Sequence, residues 1–139
     1  METGTSGSGW GLTILRIVVG VVFAMHGGQK FSMGFRGVAG FFGGAGIPFP
    51  MASAVVVTLL EFFGGLALIA GLFTRWVSLL IAFEMFVAIL KIHLRGGFFL
   101  PAGFEYALTM FAANLALVLS GAGRASLDGL RSQGAAGKR

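Results

Sequence analysis

Eight ionisable residues stand inside or at the edges of stretches otherwise built of Leu, Val, Ile, Ala, Phe and Gly: Arg16, His26, Lys30, Glu61, Glu84, Lys91, His93 and Glu105. A charge held in hydrocarbon costs from ~2.5 to more than ~10 kcal/mol, so such groups face a bundle interior or a wet cavity and mark ion, proton or substrate paths. Carboxylates set beside amines and an imidazole have the donors and acceptors to hold a carbonyl-bearing ligand and to pass protons to it. The chemistry expected is therefore that of a polar pocket within the membrane.

Helical geometry sorts these side chains. At 100° per residue, Arg16, His26 and Lys30 fall within an arc of about 80°, with Gly20 and Gly27 beside it. Glu84 and Lys91, two turns apart, share a face to within about 20°. Glu61 carries Gly64 and Gly65 on its own face, where small residues let a neighbouring helix approach closely. Counting rise from the helix ends puts Glu61 and Glu84 near mid-membrane on adjacent antiparallel helices, with either one a partner for Arg16. His26, Lys30, Lys91, His93 and Glu105 gather towards the opposite surface, so the pocket opens to that side and is floored by the buried carboxylates.

Each residue has a plainer reading. Lys30 and Lys91 could snorkel to the interface, Glu105 could serve the dipole at a helix start, and Arg16 with a carboxylate could be a structural ion pair. His26 and His93 lie in the same half of the bundle without the second histidine pair of di-haem cytochromes, so neither haem nor a metal centre is expected.

The elements that position these residues are legible from hydropathy. The chain has 139 residues, 56% of them hydrophobic and 11% charged, and its mean hydropathy is +0.91, a membrane-protein composition. Residues 10–31, 51–73, 76–94 and 101–121 each approach the ~20 residues that cross ~30 Å of hydrocarbon. The expected fold is all-α, a bundle of four transmembrane helices over 10–121, with a flexible tail at 1–9 and a flexible basic tail at 122–139. Residues 1–9 contain no Lys or Arg, so the first span lacks the basic region of a signal peptide. Pro48 and Pro50 predict an extended turn after a short interfacial helix in the first connection. Pro101 suits the first position of the fourth span, and Thr74-Arg75 predicts a tight hairpin between the second and third.

There is no cysteine, which excludes thiolate catalysis, disulfide exchange and Cys-ligated iron–sulfur clusters by this chain. The net charge of +5 comes from scattered residues at helix ends, which suits anionic lipid headgroups and not nucleic acid. Arg75, Arg124, Arg131, Lys138 and Arg139 fall on one side; Lys30, Arg36, Lys91 and Arg95 fall on the other. The positive-inside rule then puts both termini in the cytoplasm.

Several runs resemble the DoxX family of small four-helix membrane proteins. They are Leu15-Arg16 through Gly20 to His26-Gly27-Gly28-Gln29-Lys30, then Ala45-Gly46-Ile47-Pro48, then Glu61-Phe62-Phe63-Gly64-Gly65 with Gly71-Leu72-Phe73-Thr74-Arg75. Gly103-Phe104-Glu105-Tyr106-Ala107-Leu108 and Gly121-Ala122-Gly123-Arg124-Ala125-Ser126-Leu127-Asp128 complete the series, with Ala125 where an aromatic is usual. Family members include subunits named for a thiosulfate:quinone oxidoreductase and membrane partners in complexes that counter oxidative stress. The resemblance therefore implies a quinone-linked redox subunit, in which His26 or Lys30 contacts a quinone carbonyl and Glu61 or Glu84 delivers protons. Two alternatives stay open: a non-catalytic scaffold docking soluble redox enzymes or a second subunit through Arg124–Arg139, and a small-solute or proton carrier, which as a four-span chain would act as a homo-oligomer.

Overall fold

The computed structural model describes residues 5–137. Residues 1–4, Lys138 and Arg139 lie outside the described residues, and with them part of both expected tails. The elements are α1 (Thr5–Gly44), α2 (Pro50–Ala70), α3 (Thr74–Ala88), α4 (Glu105–Ser120) and α5 (Leu127–Ala136); a π turn at Ile89–His93 and a 3₁₀ turn at Leu94–Gly96 prolong α3. No strand occurs among the described residues. Three helical stretches are long and apolar enough to cross a membrane, Gly7–Gly44, Pro50–Ala70 and Thr74–Gly96, while the apolar Glu105–Ser120 is shorter.

Glycine places the first helix against the second. A Cβ on Gly27 would lie 2.3 Å from the Phe62 backbone nitrogen, one on Gly65 2.3 Å from that of Ala24, and one on Gly20 2.7 Å from the Gly65 carbonyl oxygen. Backbone meets backbone along that seam, as small residues allow where lipid supplies no hydrophobic drive. α3 packs chiefly on α4 and forms a hairpin with α2. Val19, Phe23, Leu68, Ile81, Met85, Ala107 and Leu117 make the core. The outside carries Ile14, Val18, Leu59, Phe63, Trp76, Leu80, Phe83 and Leu119, all exposed, an apolar exterior suited to lipid.

The expected boundaries shift at several places. α1 continues past Phe31 to Gly44 but is broken at Gly34, where φ is 74°. Only glycine adopts that conformation freely, so the short helix expected after the first span is there, hinged on Gly34. The hairpin turn lies at Gly71-Leu72-Phe73 rather than Thr74-Arg75: Gly71 and Phe73 are both left-handed. α4 starts at Glu105, not at Pro101, because Phe98 and Phe104 pack edge to face at 5.4 Å. The same loop is closed by hydrogen bonds from Phe104 N to Gly97 O and from Glu105 N to Phe98 O.

Each flank is helical over much of its described part. Thr5–Gly9 is the first stretch of α1, and Leu127–Ala136 is a helix capped by the Ser126 side chain, which accepts from Gly129 N at 3.1 Å. Asp128 fixes that helix to the bundle: its carboxylate accepts from Phe73 N at 2.8 Å and from Thr74 N at 2.9 Å, the free donors at the start of α3. Its own amide donates to Gly71 O at 2.9 Å. Thr13 adds a second tie, its hydroxyl oxygen accepting from Arg124 N at 3.1 Å.

Candidate functional site

The eight residues singled out by the sequence divide into one connected group and several separate ones. The connected group runs Lys30–Glu61–Glu84. Lys30 Nζ donates to Glu61 Oε2 at 2.6 Å, and the Glu61 side chain is only 4% exposed. α1 and α2 are held at backbone distance by Gly27 against Phe62, which is what lets a lysine one turn beyond Gly27 reach Glu61. On α3, Glu84 lies beside Glu61, and its Oε2 is buried without a hydrogen-bond partner.

Glu84 also lines an apolar groove of about 600 Å³ between the end of α1, α2 and α3. Phe42, Ile47, Val57, Leu60, Phe83 and Val87 are among its walls, and Glu84 is the only ionisable residue along it. His26 stands outside this group. It is exposed, its Nδ1 is bonded to Val22 O at 2.9 Å, and its ring stacks on Tyr106 at 6.1 Å. The sequence offered Tyr106 only as part of a motif, and its place at the site comes from the packing of α4.

Arg16 corrects the expectation most sharply. It is fully buried yet meets no carboxylate. Its Nη1 donates to Leu68 O at 2.9 Å and Ile69 O at 3.2 Å, and its Nη2 donates to Ala125 O. Leu68 O and Ile69 O lie at the C-terminal end of α2, where Leu68 O also accepts from Gly71 N, and Ala125 O belongs to the segment before α5. A guanidinium satisfies several such acceptors at once and complements the negative end of the helix dipole. Glu61 is taken by Lys30, so the plainer reading of Lys30 as a snorkelling residue also falls.

Lys91 leaves the face it was expected to share with Glu84. The π turn at Ile89–His93 inserts about one residue into the helical repeat and so rotates the residues beyond it by about 100°. Glu84 faces the groove, whereas Lys91 is exposed and lines a separate cleft with Arg95. His93 is half-buried within the π turn. Glu105 accepts from Leu100 N at 2.7 Å in the first turn of α4, the structural service its position suggested. The single polar pocket expected from the sequence is thus two spaces, an apolar groove with one carboxyl group and a cationic cleft.

The DoxX family model matches residues 11–94. The chain is 37% identical over 107 residues to a Bacillus subtilis protein named "Putative oxidoreductase CatD", covering 77% of this chain and 78% of that one. It is 36% identical over 121 residues to an uncharacterized Haemophilus influenzae protein, covering 84% and 87%. It is 30% identical over 123 residues to the Escherichia coli "Inner membrane protein YphA", again covering 84% and 87%. No solved structure matches the chain. The match takes in α1, α2, α3 and the Lys30, Glu61 and Glu84 that they bring together, and on that ground this chain belongs to the DoxX family.

Proposed function

We propose that the chain is a quinone-linked redox subunit of a bacterial inner membrane, a four-span bundle with both termini in the cytoplasm. Glu105–Ser120 would be the fourth span. At about 1.5 Å per residue it falls a few ångströms short of the hydrocarbon, a mismatch bilayers accommodate at modest cost. Arg75, Arg124 and Arg131 would face the cytoplasm, and the groove would open towards the other leaflet.

The observation that carries the reading is the buried, unpartnered Glu84 Oε2 on a groove that is otherwise apolar. A groove of about 600 Å³ is the size of a small-molecule site, and such sites have apolar walls with few polar groups. A quinone ring fits the walls, and when bound it supplies a two-electron, two-proton acceptor. A carboxyl group placed on such a groove can carry a proton to a bound carbonyl. Glu84 would orient a carbonyl and pass the proton to it, and Lys30 and Glu61 would restore that proton from the wetter side near His26 and Tyr106. The electrons would come from a bound substrate or a second subunit. The name of the Bacillus subtilis relative agrees with a redox role.

The test is quinone per protein, measured by mass spectrometry of lipids extracted from the purified chain. Near-stoichiometric quinone is expected, with loss in both Glu84→Leu and the groove-filling Val87→Trp. Background quinone in the unaltered chain would overturn the reading.

The scaffold alternative keeps one observation of its own. α5 has no buried residue, and Leu127 and Leu130 are 42% and 64% exposed. If α5 docks a soluble enzyme, Leu130→Asp should abolish recovery of that enzyme while quinone content stays unchanged.

A further inference from the structure

The cleft beside the groove holds two cations to which no described residue supplies a counter-charge. Lys91 and Arg95, one turn apart, face Gly40, Phe41, Gly44 and Ala45 across a space of about 370 Å³. Both are exposed, and among the described residues neither has a hydrogen bond or an ion pair. The acidic side chains of the described residues are engaged elsewhere. Glu61 holds Lys30, Glu84 lies on Glu61, Glu105 takes Leu100 N, and Asp128 caps α3 at the far end of the bundle. No carboxylate lines the cleft. Arg36, one helical turn before Gly40, is a third exposed cation without a partner among the described residues.

Position and shape narrow the ligand. Arg95 closes the apolar stretch Thr74–Gly96, which puts the cleft at the membrane surface. The opposite wall is nearly bare, since a Cβ on Gly40 or Gly44 would meet nothing within 4 Å. A compact anionic group therefore has room between that wall and the two cations. Ile92 lines both this cleft and the apolar groove, so apolar surface continues directly from the charged site. Cations at the interface with a hydrophobic path beside them match an anionic amphiphile.

We propose that Lys91 and Arg95 form a specific site for an anionic phospholipid, with its phosphate held in the cleft against Gly40 and Gly44 and one acyl chain lying over Ile92. Lys91 lies in the π turn Ile89–His93 and Arg95 follows four residues on, a spacing that sets the two on one side of the helix. The site does not depend on quinone occupying the groove.

The experiment is native mass spectrometry of the full chain released from detergent, titrated with phosphatidylglycerol and, separately, phosphatidylcholine of the same acyl chains. Phosphatidylglycerol is expected to bind at least about tenfold more tightly than phosphatidylcholine, from about two interfacial cation contacts. Lys91→Gln with Arg95→Gln should erase that preference, and Gly44→Trp should erase it by filling the cleft with no change of charge. Arg131→Gln, which removes a cation lying over Phe73 at the other end, should leave it intact. Equal binding of the two lipids, or full preference in the double variant, overturns the proposal. So does displacement of phosphatidylglycerol by millimolar inorganic phosphate, which would make this a site for free anions. Quinone content of the same preparations reports separately on the groove, so either reading can fail without the other.

Discussion

The two ends of the bundle spend their polar groups differently. At the end built from Thr13, Arg16, Gly71 and Asp128, the charged side chains are mated to backbone, Arg16 to Leu68, Ile69 and Ala125, and Asp128 to Phe73 and Thr74, although Arg16 Nε and Thr74 Oγ1 are buried without a partner there. These contacts join α1, α2, α3 and the segment leading to α5 into one lock. At the other end, Lys30 and Glu61 pair, but Glu84 Oε2, Lys91 and Arg95 have nothing among the described residues to satisfy them. The first end holds the fold. The second keeps unmatched polarity beside open volume, and unmatched polarity is where a ligand gains the most by binding.

That contrast breaks first at Arg16. Arg16→Met removes the guanidinium donor shared by the Leu68, Ile69 and Ala125 carbonyls and should lower unfolding free energy by about 2–4 kcal/mol, read as loss of folded protein on thermal unfolding in detergent. A melting temperature near that of the unaltered chain would mean the lock is not what holds this end. Next in size is the glycine seam. Gly27→Ala should cost about 1–3 kcal/mol by pushing α1 off Phe62, whereas Gly28→Ala, with nothing within 4 Å of its Cβ, should be close to neutral. Comparing the two melts separates packing from loss of glycine flexibility. Asp128→Ala comes third at about 1–2 kcal/mol, the worth of a helix cap, and Asp128→Asn should recover part of it. At the opposite end the sign changes. Glu84→Leu removes a buried carboxyl group with an unsatisfied oxygen and should leave stability unchanged or raise it by up to about 1 kcal/mol, even as quinone is lost. A large destabilisation there would make Glu84 part of the lock. The smallest effect belongs to Lys91→Gln with Arg95→Gln, which should move stability by less than about 0.5 kcal/mol.

Much of this was legible in the residues. Apolar runs marked the helices because a span must be long and continuous, and Gly20, Gly27 and Gly65 marked the α1–α2 seam because only small side chains permit such an approach. The closeness of Glu61 and Glu84 came from antiparallel helices of similar length. What failed to show was the choice of partner. The sequence offers Arg16 two carboxylates, and it takes three carbonyls. Charge pairing can be guessed from residue types, but every residue has a carbonyl, and nothing in the letters says which will end a helix beside a guanidinium. The π turn was equally silent, since Ile89–His93 reads as ordinary helix, and one added residue there moves Lys91 into a different site. Asp128 looked like part of a polar tail because its partners are amides freed only once Phe73 and Thr74 begin a helix.

By itself, then, the sequence determined the all-α membrane class, the positions of the long helices, the family and the short roster of residues able to do chemistry. Those depend on hydropathy, periodicity and motif, which are properties of neighbours along the chain. Tertiary structure alone decided that Arg16 locks backbone, that Lys30 holds Glu61, and that Glu84 and Lys91 serve separate spaces. Those outcomes depend on which atoms compete for each donor and acceptor after the helices pack, and on a rotation of about 100° within a single turn.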